Sequence, residues 1–271
     1  MTLHTYPHLE QGTEEWLAAR RGIVTASVVG QLVTTRPPAG DTVACPECGA
    51  QPETPCISRA RKEPAPIKTL HATRVAPADA PQVIEPAVSD TARALTMTLA
   101  AERINGWSEP VYVNADMMRG TYDEPIARGL YAEHYAPVDE MGFMVLERDG
   151  WRLGYSPDGL VGDDGLIEIK SRRAKAHLAT VLADEVPAQN MGQLQAGLLV
   201  TGRAWCDYVS FAGGMPLYVK RVHPDPRWFD AIRAAVATFE ENVAQMVATY
   251  TERTAGMPAT ERTYFDAELV I

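Results

Sequence analysis

Apolar residues recur at helical spacing from Glu14 to Arg20, and a second short helix is expected to begin on the Thr/Ser caps of Arg21-Gly22-Ile23-Val24-Thr25-Ala26-Ser27. Helical periodicity also marks 88–105, 120–135, about 174–183 and 187–200, and a long stretch from Pro226 to about Thr251. Between Phe143 and Ile169 the pattern changes to a run of short strands. Two more strands, Trp205–Ala212 and Leu217–Val222, flank the hairpin signal Gly213-Gly214. This order predicts an α/β (α+β) core, with a central mixed β-sheet flanked by helices and no internal repeat.

From Arg36 to about Glu85 the periodicity disappears. Proline is dense and three of the four cysteines fall there. Arg36-Pro37-Pro38 and the proline-rich exit Ala76 to Pro86 bound this stretch, so the chain divides into a core of 1–36 and 86–271 and an inserted module over 37–85.

Composition narrows the picture. At 271 residues, 46% of them hydrophobic, the chain can bury one good core and a small appendage. No apolar run approaches the length of a membrane span, and the N-terminus lacks a basic-then-apolar leader pattern, so a cytoplasmic protein is expected. In that reducing compartment the cysteines are poor candidates for disulfides. A net charge of −10 argues against a broadly basic nucleic-acid coat, so DNA contact would rely on local positive patches or metal ions.

Inside the insert, Cys45-Pro46-Glu47-Cys48-Gly49-Ala50 has the form of a zinc-knuckle turn, followed by Cys56 and then His71. Three sulfurs and one imidazole would make the closed tetrahedral set of a structural zinc site, one ion per chain; the same residues also read as a flexible loop with unrelated thiols. The segment has almost no apolar core, so metal binding would supply its folding free energy. Its Cys-Pro-x-Cys-Gly-Ala start and closing His71-Ala72-Thr73-Arg74 resemble a small zinc-binding module of actinobacterial and actinophage proteins. From Cys45 to Arg74 the positive residues Arg59, Arg61, Lys62, Lys68 and Arg74 outnumber Glu47, Glu53 and Glu63, which suits contact with DNA or a partner protein. Cys206, in a predicted strand, reads as a buried small hydrophobe.

The densest chemistry lies in Ser156-Pro157-Asp158-Gly159-Leu160 and, after a short turn, Ile167-Glu168-Ile169-Lys170. Asp158-Gly159 and Gly162-Asp163-Asp164-Gly165 are hairpin turn residues, so two strands should fold back on each other. Alternation along the second strand sets Glu168 and Lys170 on one face, Ile167 and Ile169 on the other. With Asp158 entering from the neighbouring strand, two carboxylates and an ammonium converge, an arrangement that holds a hard divalent cation and orients a water. Taken alone, the stretch reads equally as a solvated acidic turn with an exposed Glu/Lys pair.

Further landmarks are Gln11-Gly12-Thr13-Glu14-Glu15-Trp16-Leu17 leading to Arg20, Gly22 to Ser27, Gly120 with Glu124, Gln193-Leu194-Gln195 and Val200-Thr201-Gly202-Arg203. In this order and spacing, together with the Pro-Asp and Glu-x-Lys elements, they resemble the phage lambda exonuclease or YqaJ-like viral recombinase family of the PD-(D/E)XK nuclease superfamily. The resemblance implies a catalytic set of Asp158, Glu168, Lys170, Glu124 and Gln193. Asp158 would bridge the metal site, Glu168 and the Ile169 carbonyl would complete one Mg²⁺ or Mn²⁺, and Glu124 would support a second. Lys170 would polarise the attacking water or steady the scissile phosphate, and Gln193 would position Lys170 or the substrate. Arg20 and Ser27 would hold a terminal 5′-phosphate.

The activity implied is 5′→3′ digestion of linear double-stranded DNA, leaving 3′ tails for phage-type recombination. The implied partners are duplex ends, a single-strand annealing protein and further copies of the chain in a trimer. Polarity is not encoded by metal ligands, so an endonuclease or a single-strand exonuclease on the same fold stays open, as does a catalytically inactive zinc-containing DNA-binding protein. Residue by residue, Arg20 also reads as an exposed helix end, Ser27 as an N-cap, Glu124 as a helix-start residue before Pro125, and Gln193 as a surface glutamine. Where many relatives continue Glu-x-Lys with a small residue and proline, this chain has Ser171-Arg172-Arg173-Ala174-Lys175, three cations suited to a DNA backbone or to an ordinary basic helix start.

Overall fold

A computed structural model describes residues 2–58, 63–110 and 113–262. The chain opens with β1 (Thr2–Tyr6), α1 (Glu14–Arg20), β2 (Val24–Thr25), α2 (Ala26–Val29) and β3 (Val33–Arg36). The insert carries a 3₁₀ turn (Gly40–Thr42), β4 (Ile57–Ser58) and β5 (Ala65–Pro66), and β6 (Val83–Pro86) returns from it. There follow α3 (Asp90–Asn105), α4 (Ala115–His134), β7 (Phe143–Arg148), β8 (Trp151–Tyr155), β9 (Gly159–Val161), β10 (Gly165–Ser171), α5 (Ala174–Ala183), α6 (Ala188–Thr201), β11 (Trp205–Phe211), β12 (Tyr218–Val222) and α7 (Pro226–Arg253).

The expected mixed α/β architecture is present, with two four-stranded sheets and two two-stranded ones, β3-β6 and β4-β5. Of the four-stranded sheets one runs β1-β7-β8-β2, the other β12-β11-β10-β9. The second is mixed: β10 and β11 are parallel, while β9 and β12 pair antiparallel at its edges. The chain passes from the first sheet to the second through Ser156-Pro157-Asp158, between β8 and β9. Asp158 therefore sits in the connecting bend rather than on a strand. The β9–β10 hairpin forms as expected, with Gly159 opposite Ile167 and Val161 opposite Gly165.

Burial explains how β10 is held. Ile167 and Ile169 pack with Ala127 and Tyr131 of α4 and with Val209 and Phe211 of β11. The main core lies elsewhere and joins Leu194 and Leu198 of α6, Ile232 and Phe239 of α7, and Leu153 and Tyr155 of β8. Cys206 is fully buried in this core, as its strand position suggested.

Local chemistry accounts for the ends of the elements. Thr13 caps α1 by accepting from Trp16 N at 3.3 Å, and Asp225 caps α7 just before Pro226. Two expectations need correction. Asn114 accepts from the N–H groups of Asp116 and Met117, so α4 starts five residues earlier than its hydrophobic period suggested, and Glu124-Pro125 lies in mid-helix rather than at a start. The N-cap of α2 is Thr25, and Ser27 is already helical.

Two strands without a clear signal, β3 and β6, pair antiparallel from Val33↔Pro86 to Arg36↔Val83. The polypeptide thus leaves the core and returns to it along one ladder, where Arg36 bonds Glu85 and Asp41. Between these strands, Cys45, Cys48, Ala50 and Cys56 form a small cluster of their own with Ile57 and Ile67.

Candidate functional site

A cleft of about 380 Å³ opens where α1, α2, α4, α6, the β8–β9 bend and the end of β10 meet. Arg20, Ser27, Glu124, Asp158, Glu168, Ile169, Lys170 and Gln193 all line it. Residues from four separate regions of sequence are brought to one wall-to-wall space.

Asp158 is fixed from β10, because its Oδ2 accepts the Ile169 N–H at 2.6 Å. Glu168 is only 1% exposed, and three donors meet its carboxylate. Lys170 Nζ (2.7 Å) and Gln193 Nε2 bond Oε1, and the Tyr155 hydroxyl bonds Oε2 at 3.2 Å. Gln193 is therefore a cleft residue, not a surface glutamine. Its observed contact is with Glu168, whereas an action on Lys170 or substrate was expected.

The electrostatics follow from burial. Desolvation, reinforced by Glu168, pushes the Asp158 carboxyl well above the ordinary carboxylate range. Burial raises Glu124 as well, opposed by Arg128 and reinforced by Glu168. At Lys170 burial favours the neutral amine, yet the carboxylates of Glu168 and Asp158 prevail and hold it above its usual value. Buried carboxyls that repel one another are a surplus of negative charge in a low-dielectric site, and the donors are all oxygen. This set fits a hard divalent cation such as Mg²⁺ or Mn²⁺.

At the other end of the cleft, the Arg20 guanidinium lies over the Trp16 ring, 3.8 Å from its centroid. Its Nη2 reaches Thr25 Oγ1 at 3.4 Å and Ser27 Oγ at 3.5 Å, and the two hydroxyls are 3.0 Å apart. Burial lowers its pKa to about 10, with Glu102 opposing, so Arg20 stays charged at neutral pH. Trp16 Nε1 donates to Ser156 Oγ at 3.1 Å and so ties this end to the Asp158 bend. The turn between Arg20 and Thr25 is clamped by α3: Glu102 accepts the Gly22 N–H at 2.7 Å and Arg103 donates to the Gly22 carbonyl at 2.7 Å. Gly22 has φ +64°, and a Cβ there would lie 2.4 Å from Arg103 Cγ.

Sequence reasoning missed Tyr155, Thr25 and Arg128 as members of this site. Arg128 carried a usable signal, since it stands four residues after Glu124. Tyr155 adjoins the Ser-Pro-Asp motif, but nothing in the sequence says that its hydroxyl turns toward Glu168. The cations beyond Lys170 have different surroundings. Arg172 bonds Asn190 and the Tyr208 hydroxyl, and Arg173 is exposed and pairs with Asp116 at 3.0 Å. Lys175 is exposed.

The second donor set lies in the insert. Ligand atoms of Cys45, Cys48, Cys56 and His71 all fall within 4.8 Å of one another, the one His/Cys/Asp/Glu grouping this tight among the described residues. Cys45 Sγ is 3.4 Å from His71 Nδ1. Glu47 lies 3.5 Å from His71 Nε2, the outer-carboxylate arrangement that orients a metal-binding imidazole. Cys48 Sγ accepts the Ile57 N–H and Cys56 Sγ the His71 N–H. Three thiols and a ring nitrogen at this mutual spacing fit Zn²⁺.

Arg74 is 3% exposed and closes the module from within. It donates to the carbonyls of Asp41, Val43, Gln51 and Thr54, and to Cys56 Sγ. Its charge is spent internally and does not belong to a DNA-facing surface. Arg59, Arg61 and Lys62 lie outside the described residues.

Comparison with known proteins matches residues 68–204 to the YqaJ-like viral recombinase domain and residues 11–88 to the "Putative DNA-binding phage zinc finger domain". The carboxylates, Lys170 and Gln193 fall in the first match; Arg20 and Ser27 fall in the second. Among solved structures, the chain is similar to an alkaline exonuclease (LHK-Exo) from Laribacter hongkongensis, at 27% identity over 91% of this chain and 100% of that one, with TM-score 0.66. LHK-Exo in complex with dAMP matches at 26% identity and TM-score 0.64, over the same shares of the two chains. No curated protein matches the sequence.

Proposed function

The chain belongs to the YqaJ-like viral recombinase family, and from that premise we propose that it is a divalent-metal-dependent deoxyribonuclease, a 5′→3′ exonuclease that digests linear duplex DNA and leaves 3′ single-stranded tails for phage-type recombination. The observation that carries this reading is the single cleft lined by carboxylates, Lys170, Gln193, Arg20 and Ser27. The likeness to an alkaline exonuclease over all of its length supports it, and so does that enzyme's complex with dAMP, a deoxynucleoside monophosphate of the kind exonucleolytic cleavage releases.

In this reading Asp158, Glu168, the Ile169 carbonyl and Glu124 hold Mg²⁺ or Mn²⁺, two ions in all, which supply charge relief at the phosphate and an activated water. Lys170, kept protonated by Glu168 and Asp158, faces the scissile phosphate and steadies its developing charge. Glu168 keeps its orientation through Tyr155, Gln193 and Lys170. Arg20, held flat by Trp16, takes the terminal 5′-phosphate in its fork while the Ser27 hydroxyl donates to the same group.

The insert over 37–85 forms a unit apart from the exonuclease core of 1–36 and 86–271 and takes one structural Zn²⁺ on Cys45, Cys48, Cys56 and His71. The β3–β6 ladder and the separate Cys-lined cluster support that division. Association into a trimer and hand-over to an annealing protein follow from the family likeness; apolar Leu178, Val181 and Leu182 exposed on α5 support association. Among the described residues no helix is long and apolar enough to cross a membrane.

The test is digestion of linear duplex labelled at either end, with Mg²⁺ or with chelator, beside a closed circular duplex. Metal-dependent release of 5′-end nucleotides with the circle intact is expected. Nicking of the circle, or loss of the 3′ label first, would overturn the polarity and end dependence.

A further inference from the structure

Arg128 stands one helical turn beyond Glu124 on α4, so the two side chains share a face. An ordinary pair at this spacing joins two solvated side chains of one helix and contributes little. Arg128 differs in two respects. Its side chain is only 17% exposed, and two of its three donors leave the helix. Nη2 bonds Glu124 Oε1, Nε donates to the main-chain carbonyl of Asp158 at 2.7 Å, and Nη1 lies 3.1 Å from Glu140 Oε2.

The Asp158 residue is thereby gripped twice. Arg128 on α4 holds its carbonyl, and the Ile169 N–H on β10 holds its carboxylate. The same guanidinium that grips the bend also grips the Glu124 carboxylate. One rigid planar group thus sets the distance between a helix carboxylate and a loop carboxylate that no sheet ladder connects.

We propose that Arg128 is a positioning residue that fixes Glu124 and Asp158 relative to each other and so sets the affinity of the cleft for its divalent cation. This rests on the metal-dependent reading above. Lysine is a partial substitute, because one Nζ cannot span both the Asp158 carbonyl and the Glu124 carboxylate as Nε and Nη2 do. Glu140 is the outer, 76% exposed partner and is dispensable.

The test is calorimetric titration of the zinc-loaded protein with Mn²⁺ in the absence of DNA, for wild type, Arg128→Gln, Arg128→Lys and Glu140→Gln, with melting temperatures in buffer free of Mn²⁺ and Mg²⁺. Loss of an outer-sphere contact of this kind lowers metal affinity about 10–100-fold, and that range is expected for Arg128→Gln. Arg128→Lys should fall between it and wild type, and Glu140→Gln should match wild type. Folded Arg128 variants that bind Mn²⁺ as tightly as wild type would overturn the proposal, as would an equal loss in Glu140→Gln. Should Arg128→Gln not fold, Arg128→Lys decides by the same criterion. Wild-type protein that takes up no Mn²⁺ while folded would instead overturn the metal reading of the cleft, a separate and recognisable result.

Discussion

The cysteine-lined insert and the carboxylate-lined cleft are both proposed as sets of metal donors, but they are assembled over different ranges. In the insert, the candidate ligands and the contacts described around them lie between Asp41 and Arg74: the N–H to sulfur bonds, Glu47 on His71, and Arg74 on the surrounding carbonyls. In the cleft, Arg20, Glu124, Asp158 and Gln193 come from four regions, and their spacing depends on α4, α6 and two sheets being packed correctly. In the cleft the carboxyls are buried and repel one another, and burial first, then that repulsion, drives Asp158 and Glu124 upward in pKa. A local site can depend on its metal for folding; a dispersed site must be preorganised by a fold that stands without it.

The largest expected effect tests the dispersed side of this contrast. Asp158→Ala and Glu168→Gln should abolish hydrolysis while the protein stays folded and binds duplex, since binding rests mainly on phosphate contacts. Either variant digesting DNA near the wild-type rate with Mg²⁺ would move the active site elsewhere. On the local side, elemental analysis should find one zinc per chain in the wild type and none in Cys48→Ser. Its core should melt near the wild-type temperature, because the Cys-lined cluster is separate from the main core. Collapse of the whole protein would show the insert to be integral rather than local.

A smaller effect is expected at the phosphate end. A charge-assisted fork contributes about 1.5–3 kcal/mol, or roughly ten- to a hundred-fold in rate. Arg20→Ala should slow digestion of 5′-phosphorylated ends by about that factor and of 5′-hydroxyl ends much less; equal losses on both would remove Arg20 from the anchor. The smallest effect concerns stability. A carboxyl raised by burial favours the folded state fully below its unfolded pKa, and that advantage is lost as pH rises through the raised value. In metal-free buffer, Asp158→Asn should therefore gain melting temperature relative to wild type as pH rises above the ordinary carboxylate range, and Mg²⁺ should narrow the gap by stabilising the wild type. A pH-independent difference would mean that the Asp158 charge is not under strain.

Much of this was legible from sequence because the signals are local. The knuckle spacing of Cys45 and Cys48, the period-2 alternation that sets Glu168 and Lys170 opposite Ile167 and Ile169, and the turn glycines of the β9–β10 hairpin act within a few residues. Other features were misread because a nearby signal was outweighed. Pro125 suggested a helix start, but the Asn114 cap had already begun α4, and Glu124 faces the cleft from mid-helix. Arg172 was one of three cations suited to a DNA backbone, but packing brings Asn190 and Tyr208 beside it.

By itself the sequence determined the order of the main helices, the strands from Phe143 onward and the donor types, since periodicity, turn chemistry and ligand spacing are properties of neighbouring residues. Only the tertiary structure decided that Tyr155 and Gln193 both turn onto Glu168, that Trp16 lies beneath Arg20 and reaches Ser156, and that Arg128 joins α4 to the Asp158 bend. The physical reason is range: a hydrogen bond or a ring stack is specified by where packed helices and sheets bring two atoms, and no local pattern in the chain carries that distance.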